Sequence, residues 1–450
     1  MEDPSMNANK KLYIKTYGCQ MNVYDSDKMA DLLKPFGFDH TDQIEGSDMV
    51  ILNTCHIREK AAEKIYSELG RIRVLKAQKQ AKGDNMIVAV AGCVAQAEGE
   101  EIFRRAPCVD IVVGPQSYHN LPELITKIAR DGKMVINLDF PTISKFDILP
   151  NESKAPGISA FLSIQEGCNE FCKFCVVPYT RGEEYSRPVA DIYREAVRFS
   201  EAGAVEITLL GQNVNAYNGI NEHNNQTNLG NLIRSLAKID KIKRIRYMTS
   251  HPRNMHDDLI AAHGEEPKLM PFLHLPIQSG SNKVLKEMNR KHTREEYLNI
   301  IDKLRKSRPD MAFSSDFIVG YPGESDQDFE QTMKIVEEVG YAQCYSFKYS
   351  PRPGTPAAIN ENQVPEEIKS ERLARLQALI SNYQDKFNYN FIGKNFEVLL
   401  DKHGKHQAQL TGKSPYMQAV HIDNAENYLG KIVNVKVAEI TSNSLKAVMI

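Results

Sequence analysis

The sequence predicts an α/β chain of several domains: an N-terminal doubly wound parallel sheet, a central partial (β/α)6 barrel and a small C-terminal β-barrel. Three observations carry this reading. In the first third, continuous apolar strands alternate with helices, the pattern of a parallel sheet covered on both faces. Between residues 160 and 349 six further strands alternate with amphipathic stretches, short of the eight units of an ordinary closed barrel. The tail alternates in short runs, "NFEVLL", "YMQAVHI", "KIVNVKVAEI" and "LKAVMI", as a small antiparallel barrel does.

Taken in order, "KLYIKTYG" (11–18) reads as a strand and Asp25 to Phe36 as a helix. "DMVILNT" (48–54) is a continuous apolar strand, followed by a charged helix from Arg58 to Lys82. "MIVAVAG" (86–92), "VDIVVG" (109–114) and "MVINL" (134–138) complete this sheet. Segment 139–157, with Pro141, Pro150 and Pro156, reads as a linker. The second series runs through "AFLSIQ" (160–165), "VEITLLG" (205–211), "RIRYMTS" (244–250), "PFLHLPI" (271–277), "MAFSSDFIVG" (311–320) and "AQCYSFKY" (342–349). After the proline-rich "PRPGTPA", a helix spans Pro365 to Asn388, with Leu373, Leu376, Ile380, Tyr383 and Phe387 at spacings of three and four. The expected domains are therefore 11–140, 154–383 and 386–450.

Composition excludes some functions. No apolar run reaches the ~20 residues of a membrane span, and "MEDPSMNANKK" lacks a signal-peptide core, so a cytoplasmic protein is expected. In that compartment eight cysteines point to metal ligands or buried thiols rather than disulfides. A net charge of −2 gives no overall attraction to nucleic acid, so any RNA contact must come from local basic patches.

The cysteines carry the chemistry. "GCNEFCKFC" (167–175) places Cys168, Cys172 and Cys175 as C-x3-C-x2-C just after the first strand of the central region. Structural zinc and electron-transfer clusters ordinarily take four protein ligands. Three thiolates can hold three irons of a [4Fe–4S] cube and leave the fourth iron open; the alternative is a zinc knuckle with a distant fourth ligand. Phe171 and Phe174 supply apolar cover. Cys19, Cys55 and Cys93 each end a strand of the N-terminal sheet. Parallel strands end on one edge, so these three thiols can converge on a second, triply ligated cluster; a buried thiol is the plainer alternative for any one of them. Cys108 and Cys344 read as buried thiols.

Together "YGCQMN", "NTCHIREKA", "AGCVAQ", "GCNEFCKFCVVPYTRG", "LLGQNVNAY", "TSHP", "LHLPIQSGS", "DFIVGYPGE" and "YSPRPGTPA" resemble the radical S-adenosylmethionine (SAM) methylthiotransferases. The likeness covers residues 11 to 357, and the tail resembles that family's RNA-binding TRAM module. "YGCQMN" and "GQNVNAY" are most similar to the branch that acts on isopentenylated adenosine in tRNA. The resemblance implies two [4Fe–4S] clusters, one on Cys19, Cys55 and Cys93 and one on Cys168, Cys172 and Cys175, with SAM bound at the open iron of the latter. It implies a substrate, the N6-isopentenylated adenosine 3′ of the tRNA anticodon, methylthiolated at carbon 2. One SAM would donate a methyl group and a second would be cleaved to a 5′-deoxyadenosyl radical. An electron donor, a sulfur source and a monomeric enzyme are also implied. The alternatives are branches acting on threonylcarbamoyl-adenosine or on a ribosomal-protein aspartate, and, in another class, a non-catalytic electron carrier with an RNA-binding tail.

Beyond the cysteines, the likeness makes Gln212, Gln278 and Gly320 SAM contacts, where turn formation is the structural alternative. The turn at Gln212 commonly reads Gly-Gly-Glu in radical-SAM proteins, so an amide here replaces a charge. Arg181 and Arg187 could pair with the SAM carboxylate, with RNA phosphate, or with Glu183 and Glu184. His56 and His251 read as packing or hydrogen-bonding residues. The basic runs 238–247 and 283–294 are either RNA contacts or solvated faces. In the tail, Lys402, Lys405 and Lys413 are the expected RNA contacts. The family often has arginine at the last, and lysine loses its bidentate fork.

Overall fold

Six apolar strands of the N-terminal region pair in parallel: β1 (Lys10–Tyr17), β2 (Phe38–His40), β3 (Met49–Thr54), β4 (Ile87–Gly92), β5 (Ile111–Val113) and β6 (Val135–Asn137), in the spatial order 2-1-3-4-5-6. In this computed structural model residues 10–55, 59–141, 145–149, 157–441 and 444–450 are described. β3 is buried at every position, as a central strand covered on both faces must be. One face packs Met49, Ile51, Ala89 and Ile111 on helix Gln20–Leu33; the other packs Val50, Leu52, Val88 and Val90 on helix Glu59–Gln80. Each such buried Val, Leu or Ile contributes about 1.5–3 kcal/mol. β2 is too short for the alternation to announce it. The expected linker departs from a plain connection: it carries helix Lys145–Ile148, and Lys145 is fully buried.

The chain divides into two compact units. The first comprises residues up to 154 with 166–169 and 175–184; the second comprises 155–165, 170–174 and 185–450.

The second unit contains β7 (Ser159–Ser163), β8 (Glu206–Leu210), β9 (Arg244–Tyr247), β10 (Phe272–His274), β11 (Ala312–Val319) and β12 (Gln343–Lys348). They form two parallel sheets, 9-8-7 and 10-11-12. A bridge from Ile245 to Leu269 continues the first toward the second. One core unites them, from Leu162 and Ile207 through Leu273 and Phe317 to Leu376 and Ile380 of helix Glu366–Tyr389. These six strands are those read from the sequence.

Five strands, β13 (Asn395–His403), β14 (Leu410–Lys413), β15 (Ala419–Ile422), β16 (Ile432–Ile440) and β17 (Leu445–Met449), close into a barrel in the order 13-14-15-17-16. The basic run 238–247 supplies its anchor. Arg244 donates to the carbonyls of Lys413 and Glu397, both at 2.8 Å, and Arg246 to those of Pro415 and Ser414, also at 2.8 Å. Arg246 is ion-paired to the buried Glu206 at 2.8 Å. Burial pushes the Glu206 carboxyl up, but Arg246 and Lys413 outweigh it and hold the group below its usual range. These arginines are therefore structural; Lys238, Lys241 and Lys243 are the exposed cations of the run.

Candidate metal centres

Tyr17, Thr54 and Gly92 form one row across β1, β3 and β4. Neighbouring strands lie about 4.8 Å apart, so Cys19, Cys55 and Cys93, one or two residues beyond that row, emerge side by side. Cys19 caps helix Gln20–Leu33 and Cys93 opens helix Cys93–Glu98. Gly18 makes the approach possible. Its φ is +131°, and a Cβ there would fall 2.2 Å from Cβ of Cys55, a position only glycine can take.

A hydrogen bond with Cys55, helped by Arg181 and the backbone at Asn22 and opposed by burial, brings the Cys19 thiol down to about 6. A lowered thiol gives up its proton more readily, and the thiolate is the form that binds metal. Burial pushes Cys93 up, and Arg181 pulls against it. Among the described residues no three His, Cys, Asp or Glu side chains close around a single metal ion. A cubane asks something different: each protein thiolate binds its own iron, so the sulfurs stand apart around one edge. Three soft donors at neighbouring strand ends, one of them already acidic, fit that group. His56 lies outside the described residues.

Beneath these thiols lies a buried charge network. Arg181, 3% exposed, is ion-paired to Asp25 at 2.7 Å and to Glu166. Lys145 pairs with the same two carboxylates, at 3.3 and 2.7 Å. The expected pairing of Arg181 with Glu183 or Glu184 is thus corrected: the partners are distant in sequence, supplied by a helix and a strand. Arg187 likewise pairs with Glu195, at 2.8 Å, and donates to the carbonyl of Ser163 at 2.5 Å.

The other triplet lies in the loop after β7. Cys172 is buried; Cys168 and Cys175 are half-buried. Phe174 packs with Val284, Met288, Tyr321 and Tyr349, whereas Phe171 is 53% exposed. The φ of +49° at Phe171 turns the loop outward there. Sequence reading missed the residue beside Cys172. Arg290 is 5% exposed, donates to the Cys172 sulfur at 3.6 Å and to the carbonyl of Pro276 at 2.5 Å, and has no carboxylate partner among the described residues. An uncompensated buried cation costs several kcal/mol; an anionic sulfur or ligand beside Cys172 would offset it.

His292 follows Arg290 by two residues and packs against His251, their rings 5.4 Å apart. Burial, then Arg290, holds both neutral, with His292 at about 4 and His251 lower still. Nδ1 of His251 accepts from the backbone of Arg253 at 3.1 Å, so its proton sits on Nε2. Nδ1 of His292 faces the carbonyl of Arg290 at 2.9 Å, so its Nε2 is bare. Both Nε2 atoms are buried without a hydrogen-bond partner among the described residues, one a donor and the other an acceptor.

The expected SAM contacts fall at strand ends of this unit. The backbone N–H groups of Gln212 and Asn213 follow β8 and donate to Oε1 of buried Gln165, at 2.9 and 3.2 Å. Gln278 has φ +79° and bridges to β11, its carbonyl accepting from Ile318 at 2.9 Å. Gly320, φ +69°, would carry its Cβ 2.3 Å from Cγ of Lys369, so packing already accounts for the glycine. Its N–H donates to Glu324, which burial raises to about 7 against the pull of that N–H and of Arg372. Lys402 and Lys405 are exposed on the small barrel; Lys413 is half-buried near Glu206.

Comparison with known proteins agrees with this architecture. Residues 11–114 match the family described as "Uncharacterized protein family UPF0004", 162–336 the radical SAM superfamily and 390–450 the TRAM domain. A tRNA-2-methylthio-N(6)-dimethylallyladenosine synthase of Wolbachia pipientis subsp. Culex pipiens (strain wPip) is 63% identical over 440 residues, 97% of this chain and 99% of the relative. The enzyme of that name from Rickettsia felis (strain ATCC VR-1525 / URRWXCal2) is 61% identical over 439 residues, again 97% and 99%. Among solved structures, the radical SAM methyltransferase TsrM from Kitasatospora setae, with cobalamin and a [4Fe-4S] cluster bound, superposes with a TM-score of 0.57 at 12% identity, covering 78% of this chain and 77% of that one; this likeness is one of fold. Identity at this level along the whole length places the chain in the radical-SAM methylthiotransferase family, to which it belongs, in the branch of the tRNA-2-methylthio-N6-dimethylallyladenosine synthases (MiaB).

Proposed function

We propose that this chain methylthiolates carbon 2 of N6-isopentenylated adenosine beside the tRNA anticodon. The observation that carries this is the 60–63% identity to synthases of that name over 97% of the chain. The domains proposed are the N-terminal sheet (11–140), the radical-SAM core (154–383) and the TRAM barrel (386–450). Cys168, Cys172 and Cys175 hold one [4Fe–4S] cluster and Cys19, Cys55 and Cys93 a second. An aromatic C–H has no useful acidity, and SAM bound at a reduced cluster supplies the radical that reaches it.

The chain's residues do the positioning. Arg290 gives the buried anionic end of SAM a guanidinium that can bind a carboxylate by two hydrogen bonds. Gln212, Gln278 and Gly320, at strand ends of the core, border the same ligand. Phe174 keeps water from Cys172. A loop base, unlike one in a stem, can be splayed out at low cost, and Lys402 and Lys405 bind the RNA backbone.

The defining test incubates reconstituted protein with SAM, reductant, a sulfur source and isopentenylated tRNA, then digests the RNA for mass spectrometry. A methylthio product, much reduced with unmodified adenosine, is expected. SAM cleavage without any such product overturns the proposal.

Two variants test individual assignments. Arg290→Met should raise the KM for SAM about 10- to 100-fold, the value of a charge-assisted hydrogen bond of about 1.5–3 kcal/mol. Steady-state deoxyadenosine release measures it, and an unchanged KM removes Arg290 from the SAM site. Lys402→Ala/Lys405→Ala should weaken tRNA binding and make the slope of log affinity against log salt shallower by about 2, the value for two phosphate contacts. A filter-binding salt titration with the parental slope excludes these lysines.

A further inference from the structure

The Asp25–Lys145–Glu166–Arg181 network is larger than packing requires. Its four side chains are at most 3% exposed, and its two cations balance its two anions. Breaking a buried pair leaves a charge stranded, whereas an apolar replacement of the whole set is often neutral. A chain that keeps four charges here is using at least one of them. The members are not equivalent. Lys145 is spent on Asp25, Glu166 and the carbonyl of Pro115 at 2.9 Å, and lies 4.6 Å from the Tyr118 ring centre.

Arg181 reaches further. One nitrogen serves Glu166; the other binds Asp25 at 2.7 Å and Oδ1 of Asn22 at 3.2 Å. That same Oδ1 accepts the Cys19 thiol at 3.4 Å. Its positive charge also pulls the Cys93 thiol down, against the burial that raises it. In the chain, Arg181 ends helix Val177–Arg181, which begins two residues after Cys175. The cation under one cysteine set is thus covalently close to the last ligand of the other.

We propose that Arg181 is a positioning residue of the Cys19–Cys55–Cys93 site, held by Asp25 and Glu166 with its guanidinium against Asn22 beside Cys19, where its positive charge raises the reduction potential of the iron–sulfur cluster held there. The proposal rests on the two-cluster reading above. Hydrogen bonds to cluster sulfurs and nearby positive charge favour the more reduced, more negative state. Lysine in its place keeps the charge but loses the planar fork that reaches Glu166, Asp25 and Asn22 together.

The test uses full-length protein carrying Cys168→Ala, Cys172→Ala and Cys175→Ala, so that any cluster sits on the other three cysteines. Iron content and the midpoint from an EPR-monitored redox titration are compared for this parent, Arg181→Lys, and Arg181→Met combined with Glu166→Gln. The double change removes one charge of each sign and leaves Asp25 balanced by Lys145, which protects folding. The parent should bind about four irons. The double variant should bind as many with a clearly more negative midpoint, and Arg181→Lys should fall between. Four irons with an unchanged midpoint in both variants overturns the role of Arg181. No iron in the parent overturns the two-cluster reading itself. If the double variant binds no iron, Arg181→Lys decides: a negative shift supports the proposal, and a parental midpoint overturns it.

Discussion

A chain with Cys168, Cys172 and Cys175 all changed to alanine should release no 5′-deoxyadenosine from SAM and make no methylthiolated tRNA. The expected loss is complete because these thiolates are the only protein bonds proposed for the radical-generating cluster. Arg290, which donates to the Cys172 sulfur, is a cation and cannot bind iron in their place. The fold should survive, since β7 to β12 share a core that includes none of these three cysteines. Deoxyadenosine by chromatography, beside a far-ultraviolet spectrum, measures both. Parental deoxyadenosine release would place the radical site elsewhere.

The second large effect separates the two clusters. With Cys19, Cys55 and Cys93 changed to alanine, iron should fall from about eight per chain to about four. Deoxyadenosine release should persist while methylthio product disappears. The physical ground is the row formed by Tyr17, Thr54 and Gly92, which delivers these thiols to one edge of the first unit. Cys168, Cys172 and Cys175 sit in a separate loop, so removing one set leaves the ligands of the other intact. Loss of all iron would refute two independent clusters; full iron with product would make these cysteines ordinary buried thiols.

The cysteine sets were legible because each is a local pattern. C-x3-C-x2-C is a spacing, and "YGC", "NTC" and "AGC" each close an apolar strand. The strands were legible for the same reason: a strand buried on both faces reads as an unbroken apolar run. The short β2 escaped, having only one buried residue, Phe38. The linker reading failed at Lys145 because a buried lysine looks in sequence like any solvated one.

Charge was the least legible property. Arg181 stands beside Glu183 and Glu184, yet pairs with Asp25 and Glu166. The basic run 238–247 suggested a solvated or RNA-binding face, yet Arg244 and Arg246 turn inward to hold the small barrel by four backbone carbonyls. Arg290 read only as one cation of the run 283–294, an RNA contact or solvated face, since nothing in "MNRKHT" shows that its guanidinium is buried beside a cysteine 118 positions earlier.

The sequence by itself determined the fold class, the six-unit core, the closing barrel and the two sets of cysteines, because periodicity and spacing depend on residues near one another in the chain. Only the tertiary structure decided which cations are spent on carboxylates, which are spent on backbone, and which remain beside a sulfur. Those pairings are long-range and depend on desolvation. A charge declares its partner only once burial has removed water as the alternative.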